Sequence, residues 1–259
     1  AHAVTVKTSS GTGVTWAATD KGTKMVYSDG TNVVDTAFTE LSSDYTPQLS
    51  ADLDTNSHNI IIDTAHSVLD ENSNEQITFT TTGSAVNHFG VTNAGTGNTP
   101  SLAAVGGDTN IDFNITPKGI GRATFNGQGK IQSVAEKVTT AAIAATGTIA
   151  YDVLTQAVLN YTTAASGNWT LNIRGDGSNS LDSIMDTGES ITIAHIVANT
   201  GTAYYNSAVQ IDGSSVTPEY SGGSAPSGGN INSLDTYTYT IIKTGSAAFT
   251  VLATQTQFA

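Results

Sequence analysis

Short runs in which polar and apolar residues take turns make up most of this chain, and that period of two constrains its fold more than any other feature. Residues 110–115, NIDFNI, alternate without a slip: Ile111, Phe113 and Ile115 would face one way, and Asn110, Asp112 and Asn114 the other. Thr116, Pro117, Lys118 and Gly119 then read as a turn, and a second extended run ends on Phe125, so the spacing predicts a hairpin. A lone two-stranded hairpin is marginal in water. Something outside it must cover the Ile-Phe-Ile face.

Residues 51–130 repeat this style. NIIID (59–63), QITFTTT (76–82) and HFGVTNA (88–94) are strand candidates, while DENSNEQ (70–76) and NAGTGNTP (93–100) are turn chemistry. No fixed period links them, so a solenoid is not expected. A monomer could not bury such thin apolar faces. The expected arrangement is an elongated stalk of short β-hairpins, intertwined in a homotrimer whose symmetry mates supply the cover.

Residues 1–50 offer AVTV (3–6), then KMVYS (24–28) and NVVDT (32–36) around the hairpin signal Asp29-Gly30. The stretch 36–49 could hold one helical turn before Pro47. So little apolar mass would not make an independent core, and the segment reads as an N-terminal attachment region.

Residues 131–259 differ. KVTTAAI (137–143), TIAYDVL (148–154), AVLNYTT (157–163), NWTLNIR (168–174), SITIAHIVA (190–198), SAVQID (207–212), DTYTYTIIK (235–243) and AFTVLATQT (248–256) are eight strand candidates with turn signals between them. That is the signature of a C-terminal β-sandwich, jelly-roll-like. One short helix fits residues 179–185 with Asn179 or Ser180 as its N-cap. Residues 218–230, PEYSGGSAPSGGN, read as a long loop inside this domain. The class is all-β throughout.

Charge narrows the partners. Asp, Glu, Lys and Arg make up 12% of the chain and the net charge is −13, against about 25% charged residues in an ordinary domain. Nine scattered cations give no cluster for nucleic acid, and the acidity opposes an anionic membrane surface. No apolar run reaches the length of a spanning helix, residues 1–10 hold no signal-peptide core, and Cys is absent. Synthesis and folding in a reducing cytoplasm are therefore expected.

The chemistry-bearing motifs fail one by one. GIGRAT (119–124) lacks the third Gly of a dinucleotide loop and precedes a strand. In RGDGSNSLDSIMD (174–186), Asp176, Ser178, Ser180 and Asp182 have alternate spacing, but Leu181 and Thr187 stand where a calcium loop needs Gly and Glu. A capped turn entering the short helix is the expected reading. His2, His58, His66, His88 and His195 show no metal-ligand spacing, and His195 reads as a satisfied core imidazole. Nothing flags Asp182, Asp186, Glu189 or Glu219 as a carboxylate pair for glycoside hydrolysis. No catalytic residue, metal site or cofactor is expected. Trp169 reads as sandwich core, whereas Tyr204, Tyr205 and Tyr220, in or beside loops, are candidates for contact with a glycan or for sealing a subunit interface.

Residues 203–259 and 160–197 resemble the C-terminal domain of tail-fibre-like virion structural proteins from tailed phages of marine cyanobacteria. Residues 83–127 are similar to a segment recurrent in phage fibre and appendage proteins, carried here by Asp108, Asn110, Ile111, Asp112, Pro117, Lys118, Gly119 and Gly121. The resemblance covers about two thirds of the chain. It implies a homotrimer without enzymatic activity, located in the virion. Attachment to other tail or capsid proteins through residues 1–50 follows by analogy, with a host cell-surface polysaccharide as the other partner. A capsid- or neck-attached decoration fibre with a purely structural role is the alternative.

Overall fold

The strand Trp169–Arg174 buries every second residue (Trp169, Leu171 and Ile173) and leaves Thr170, Asn172 and Arg174 half-exposed. This is the alternation of a sheet with one face on a core. The computed structural model describes residues 2–19, 24–35, 55 and 57–258. Among these residues it is all-β apart from one four-residue helix and one 3-10 turn. The chain divides into two units, Ala1–Ile111 and Asp112–Ala259. No helix among the described residues is long and apolar enough to cross a membrane.

Among the described residues, the first unit holds four antiparallel hairpins, the first two joined by a hydrogen bond from Val33 N–H to the Thr12 carbonyl. These are β1 (Val4–Lys7) with β2 (Gly13–Trp16), β3 (Val26–Ser28) with β4 (Val33–Asp35), β5 (His66–Leu69) with β6 (Glu75–Phe79), and β7 (Asn87–Thr92) with β8 (Ser101–Gly106). Their turns follow the sequence chemistry. Asp29 accepts the backbone N–H groups of Thr31 and Asn32, and Asp70 those of Asn72 and Asn74. Each carboxyl is thereby held below its usual range.

Two expectations fail in this region. Residues 59–63 form no strand, and Ile61 is 87% exposed. Residues 109–137 also contain no strand, although Gly121 does donate to the Lys118 carbonyl at 3.1 Å in the expected turn. Alternation makes a segment ready to extend, but a ladder needs a facing strand, and the described residues provide none to either stretch. The helical turn expected within 36–49 lies outside the described residues.

The second unit contains a two-sheet sandwich. One sheet has the order β10-β12-β14-β15, from β10 (Gly147–Asp152), β12 (Trp169–Arg174), β14 (Asn206–Ile211) and β15 (Ser214–Val216). The other has the order β16-β18-β17-β13-β11-β9, from β9 (Val138–Ala144), β11 (Val158–Thr163), β13 (Ser190–Ala198), β16 (Glu219–Tyr220), β17 (Leu234–Gly245) and β18 (Ala248–Phe258). From β9 to β14 the chain crosses between sheets at each step. Neighbours within each sheet are therefore parallel along this stretch: β9 with β11, β11 with β13, β10 with β12, and β12 with β14. A jelly roll pairs its strands antiparallel; here the opposite sheet serves as the crossover that parallel strands require. The antiparallel hairpin β17–β18 completes the larger sheet.

Both inner faces feed one core, with Trp169, Leu171, Ile173, Val209 and Ile211 from one sheet meeting Ile193, Val197, Tyr237, Tyr239 and Ile241 from the other. Tyr239 donates to Asn206 Oδ1 at 2.9 Å across the sheets. Among the described residues, the buried hydrophobic set begins at Ala145.

Candidate functional site

β17 shows how the sandwich places its polar groups. Its inward positions are Asp235, Tyr237, Tyr239, Ile241 and Lys243, so an apolar centre ends in a buried acid and a buried base. The helix α1 (Leu181–Ile184) lies at the Lys243 end. Its N-cap Ser180 accepts from Ser183 N–H at 3.0 Å. Lys243 Nζ donates to the carbonyls of Asp182 (2.5 Å) and Met185 (2.9 Å) and meets Asp182 Oδ1 at 2.8 Å. Lys243 and the Ala247 N–H together hold the Asp182 carboxyl below its usual range. An ion pair thus ties the helix to β17.

The loop that precedes α1 is closed by its own backbone. Asp176 Oδ1 accepts the N–H groups of Ser178 (2.7 Å) and Asn179 (2.8 Å), and Asp212 accepts those of Leu181 (2.7 Å) and Asp182 (3.0 Å). Of the two carboxylates that suggested a calcium loop, Asp176 is spent on the turn and Asp182 on Lys243 and the Ala247 N–H. No group of three or more His, Cys, Asp and Glu side chains among the described residues could hold a metal ion.

At the other end of β17, Asp235 is fully buried. Its Oδ2 accepts from Asn199 Nδ2 and from Asn230 N–H, both at 3.0 Å. Burial raises its carboxyl pKa and these hydrogen bonds oppose the rise. Gly229 is required here, since a Cβ would lie 2.3 Å from the Tyr204 carbonyl and 2.6 Å from Asp235 Oδ2.

His195 is buried as expected, but it is not satisfied. Neither ring nitrogen has a hydrogen-bond partner, and its ring meets Tyr161 and Trp169 edge-on. Burial pushes its pKa down to about 3. The polar residue is at home in the apolar run only as a neutral ring.

Tyr204 and Tyr205 adjoin one another on the loop before β14, half-buried against the core. The Tyr205 N–H donates to Asn168 Oδ1 at 3.1 Å. Tyr220, on β16, is in register with Ala253, whose side chain lies in the core. Its ring is half-buried and its hydroxyl pKa is raised by burial. A shallow groove of about 410 Å³ beside it is lined by Glu219, Thr238, Thr240, Leu252 and Thr254, without Tyr204 or Tyr205. The structure pairs two of the three tyrosines and sets the third apart.

Asp186 and Glu189 converge, on a cation. Arg122 Nη2 meets Asp186 Oδ2 at 2.6 Å and Arg122 Nη1 meets Glu189 Oε2 at 2.6 Å. The Asp186 N–H also donates to Glu189 at 2.8 Å, and together with Arg122 holds that carboxyl below its usual range. Beside this clamp lies a groove of about 500 Å³ with an apolar floor of Ile120, Val153, Leu154, Ile184 and Ile191. Its one signal in the sequence is Arg122, the single charged residue of 119–129.

Upstream of the sandwich in sequence, many large apolar side chains are exposed. Ile77 on β6, Val91 on β7 and Leu102 on β8 are each more than half exposed, as are Ile60, Ile61, Ile115, Phe125, Ile131 and Val134. A soluble monomer rarely shows so many large apolar side chains in succession. No family model, curated protein or solved structure matches the chain.

Proposed function

We propose that this chain is a structural, non-enzymatic component of a phage virion: a homotrimeric tail fibre, or a fibre-like appendage, that contributes to attachment at the host surface. One observation carries the reading. Buried hydrophobic residues among the described positions start at Ala145, while hairpins upstream turn Ile77, Val91 and Leu102 to solvent. A chain of hairpins that cannot cover themselves, joined to one sandwich that can, suits a shaft completed by symmetry mates and a self-sufficient head. The resemblance of residues 83–127, 160–197 and 203–259 to phage fibre proteins supplies the virion setting. Residues 1–50 grip a neighbouring virion protein, and the sandwich faces the host polysaccharide. Three linked copies raise avidity for a weakly bound sugar.

The test is adsorption competition. Purified full chain should bind host cells and slow phage adsorption in proportion to the sites it occupies. Failure to bind cells, with antibody labelling of virions on the capsid or neck, would assign the chain to a decoration fibre instead.

A further inference from the structure

Residues 113–137 stand apart from the rest of the chain in charge, pairing and exposure. They contain Lys118, Arg122, Lys130 and Lys137 against the single acid Glu136, a net +3 in a chain of net −13, which leaves −16 on the remainder. They form no strand. Arg122 holds them to the sandwich through Asp186 and Glu189, as does the Lys137 carbonyl, which accepts the N–H groups of Ala157 (2.9 Å) and Val158 (3.1 Å). Between these anchors, Phe125 is 76% exposed, Ile131 70% and Val134 68%. Lys118, Lys130 and Lys137 take part in no recorded ion pair among the described residues. The segment runs straight into β9, which among the described residues pairs with β11 alone and stands at the end of the larger sheet.

We infer that residues 113–137 are an interchain strap whose occupant is the acidic surface of a second copy of this chain. This rests on the trimer reading above and names the part that closes it. Complementary charge steers the strap and fixes its register, while burial of Phe125, Ile131 and Val134 supplies the non-directional attraction. A segment that forms no strand and leads into the edge strand β9 is placed where strands add across chains. Lys118 and Lys130 are the charged contacts, and Arg122 fixes the angle at which the strap leaves its own sandwich.

The chain contains no Cys, so a single Ile131→Cys substitution labelled with a benzophenone maleimide reports what lies against the strap. Illumination of the full-length protein at micromolar concentration should give dimer and trimer bands on a denaturing gel, fading when unlabelled chain is absent and the protein is diluted below its assembly range. In parallel, the triple variant Phe125→Ser/Ile131→Ser/Val134→Ser and the variant Lys118→Glu/Lys130→Glu should lose at least ten-fold in assembly affinity. Near-ultraviolet circular dichroism of the Trp169 core checks that each remains folded. A wild-type trimer, with both variants equally trimeric and cross-links confined to one chain, overturns the strap and leaves the trimer standing. A monomeric wild type overturns both. A strap that cross-links to an added oligonucleotide in preference to a second chain also overturns the inference.

Discussion

Trp169 and His195 meet edge to face across the two sheets of the sandwich, ring centroids 5.8 Å apart and planes at 81°. The indole N–H and both imidazole nitrogens are buried without a hydrogen-bond partner. The centre of the core therefore carries polar atoms that it does not satisfy, held in place by packing.

Replacing His195 by Leu should leave stability unchanged or raise it at pH 7, because an unpartnered buried polar group is exchanged for an apolar one of similar bulk. Its effect on pH dependence is sharper. The folded pKa of about 3 lies below the ordinary 6.5, so the unfolded chain binds the extra proton between those values. The stability this ring contributes is whole above pH 6.5 and is lost as pH falls toward 3. Thermal melts across that window should show a shallower decline for His195→Leu than for the wild type.

Lys243→Met should destabilise the sandwich, since it removes the donor to two carbonyls of the helix and the cation beside the Asp182 carboxylate. Chemical denaturation followed by Trp fluorescence measures it. The double variant Lys243→Met/Asp182→Ala should recover part of the loss, because it also removes the unpaired charge.

Asp212→Ala removes two backbone contacts at the start of α1 and should cost roughly 1–2 kcal/mol, the range of a lost helix cap. Chelator should not move the melting temperature, as the Asp176 and Asp212 oxygens are occupied by backbone donors. A drop of several degrees on chelation would show a cation in this loop.

Leu171→Ala, at a fully buried position, should cost about 2–5 kcal/mol in the sandwich alone. Leu102→Ala, more than half exposed within one chain, should cost little in an isolated chain but measurably weaken the assembly. Equilibrium sedimentation of both variants separates the two effects.

The eight strand candidates of residues 131–259 all became strands, because each alternating run found a partner inside the chain. β8 escaped notice, since SLAAVG has small residues and no alternation. NIIID and residues 110–115 alternate well yet form no strand; a local pattern reports readiness to extend and says nothing of who faces it. Parallel order was hidden for the same reason, because Leu171 must point inward whether β12 lies beside β10 or some antiparallel neighbour. Asp235 and Lys243 were legible in principle. They share the parity of Tyr237, Tyr239 and Ile241 on β17, and extending that count by one step at each end places both charges in the core.

The account turns on the number of chains that cover the hairpins. Light scattering of the full-length protein after size exclusion, at micromolar concentration, measures it directly. A mass near three times the 26.6 kDa chain is the expected result. A folded species at 26.6 kDa would contradict the account, for it would leave Ile77, Val91, Leu102 and Phe125 stable in water without a partner.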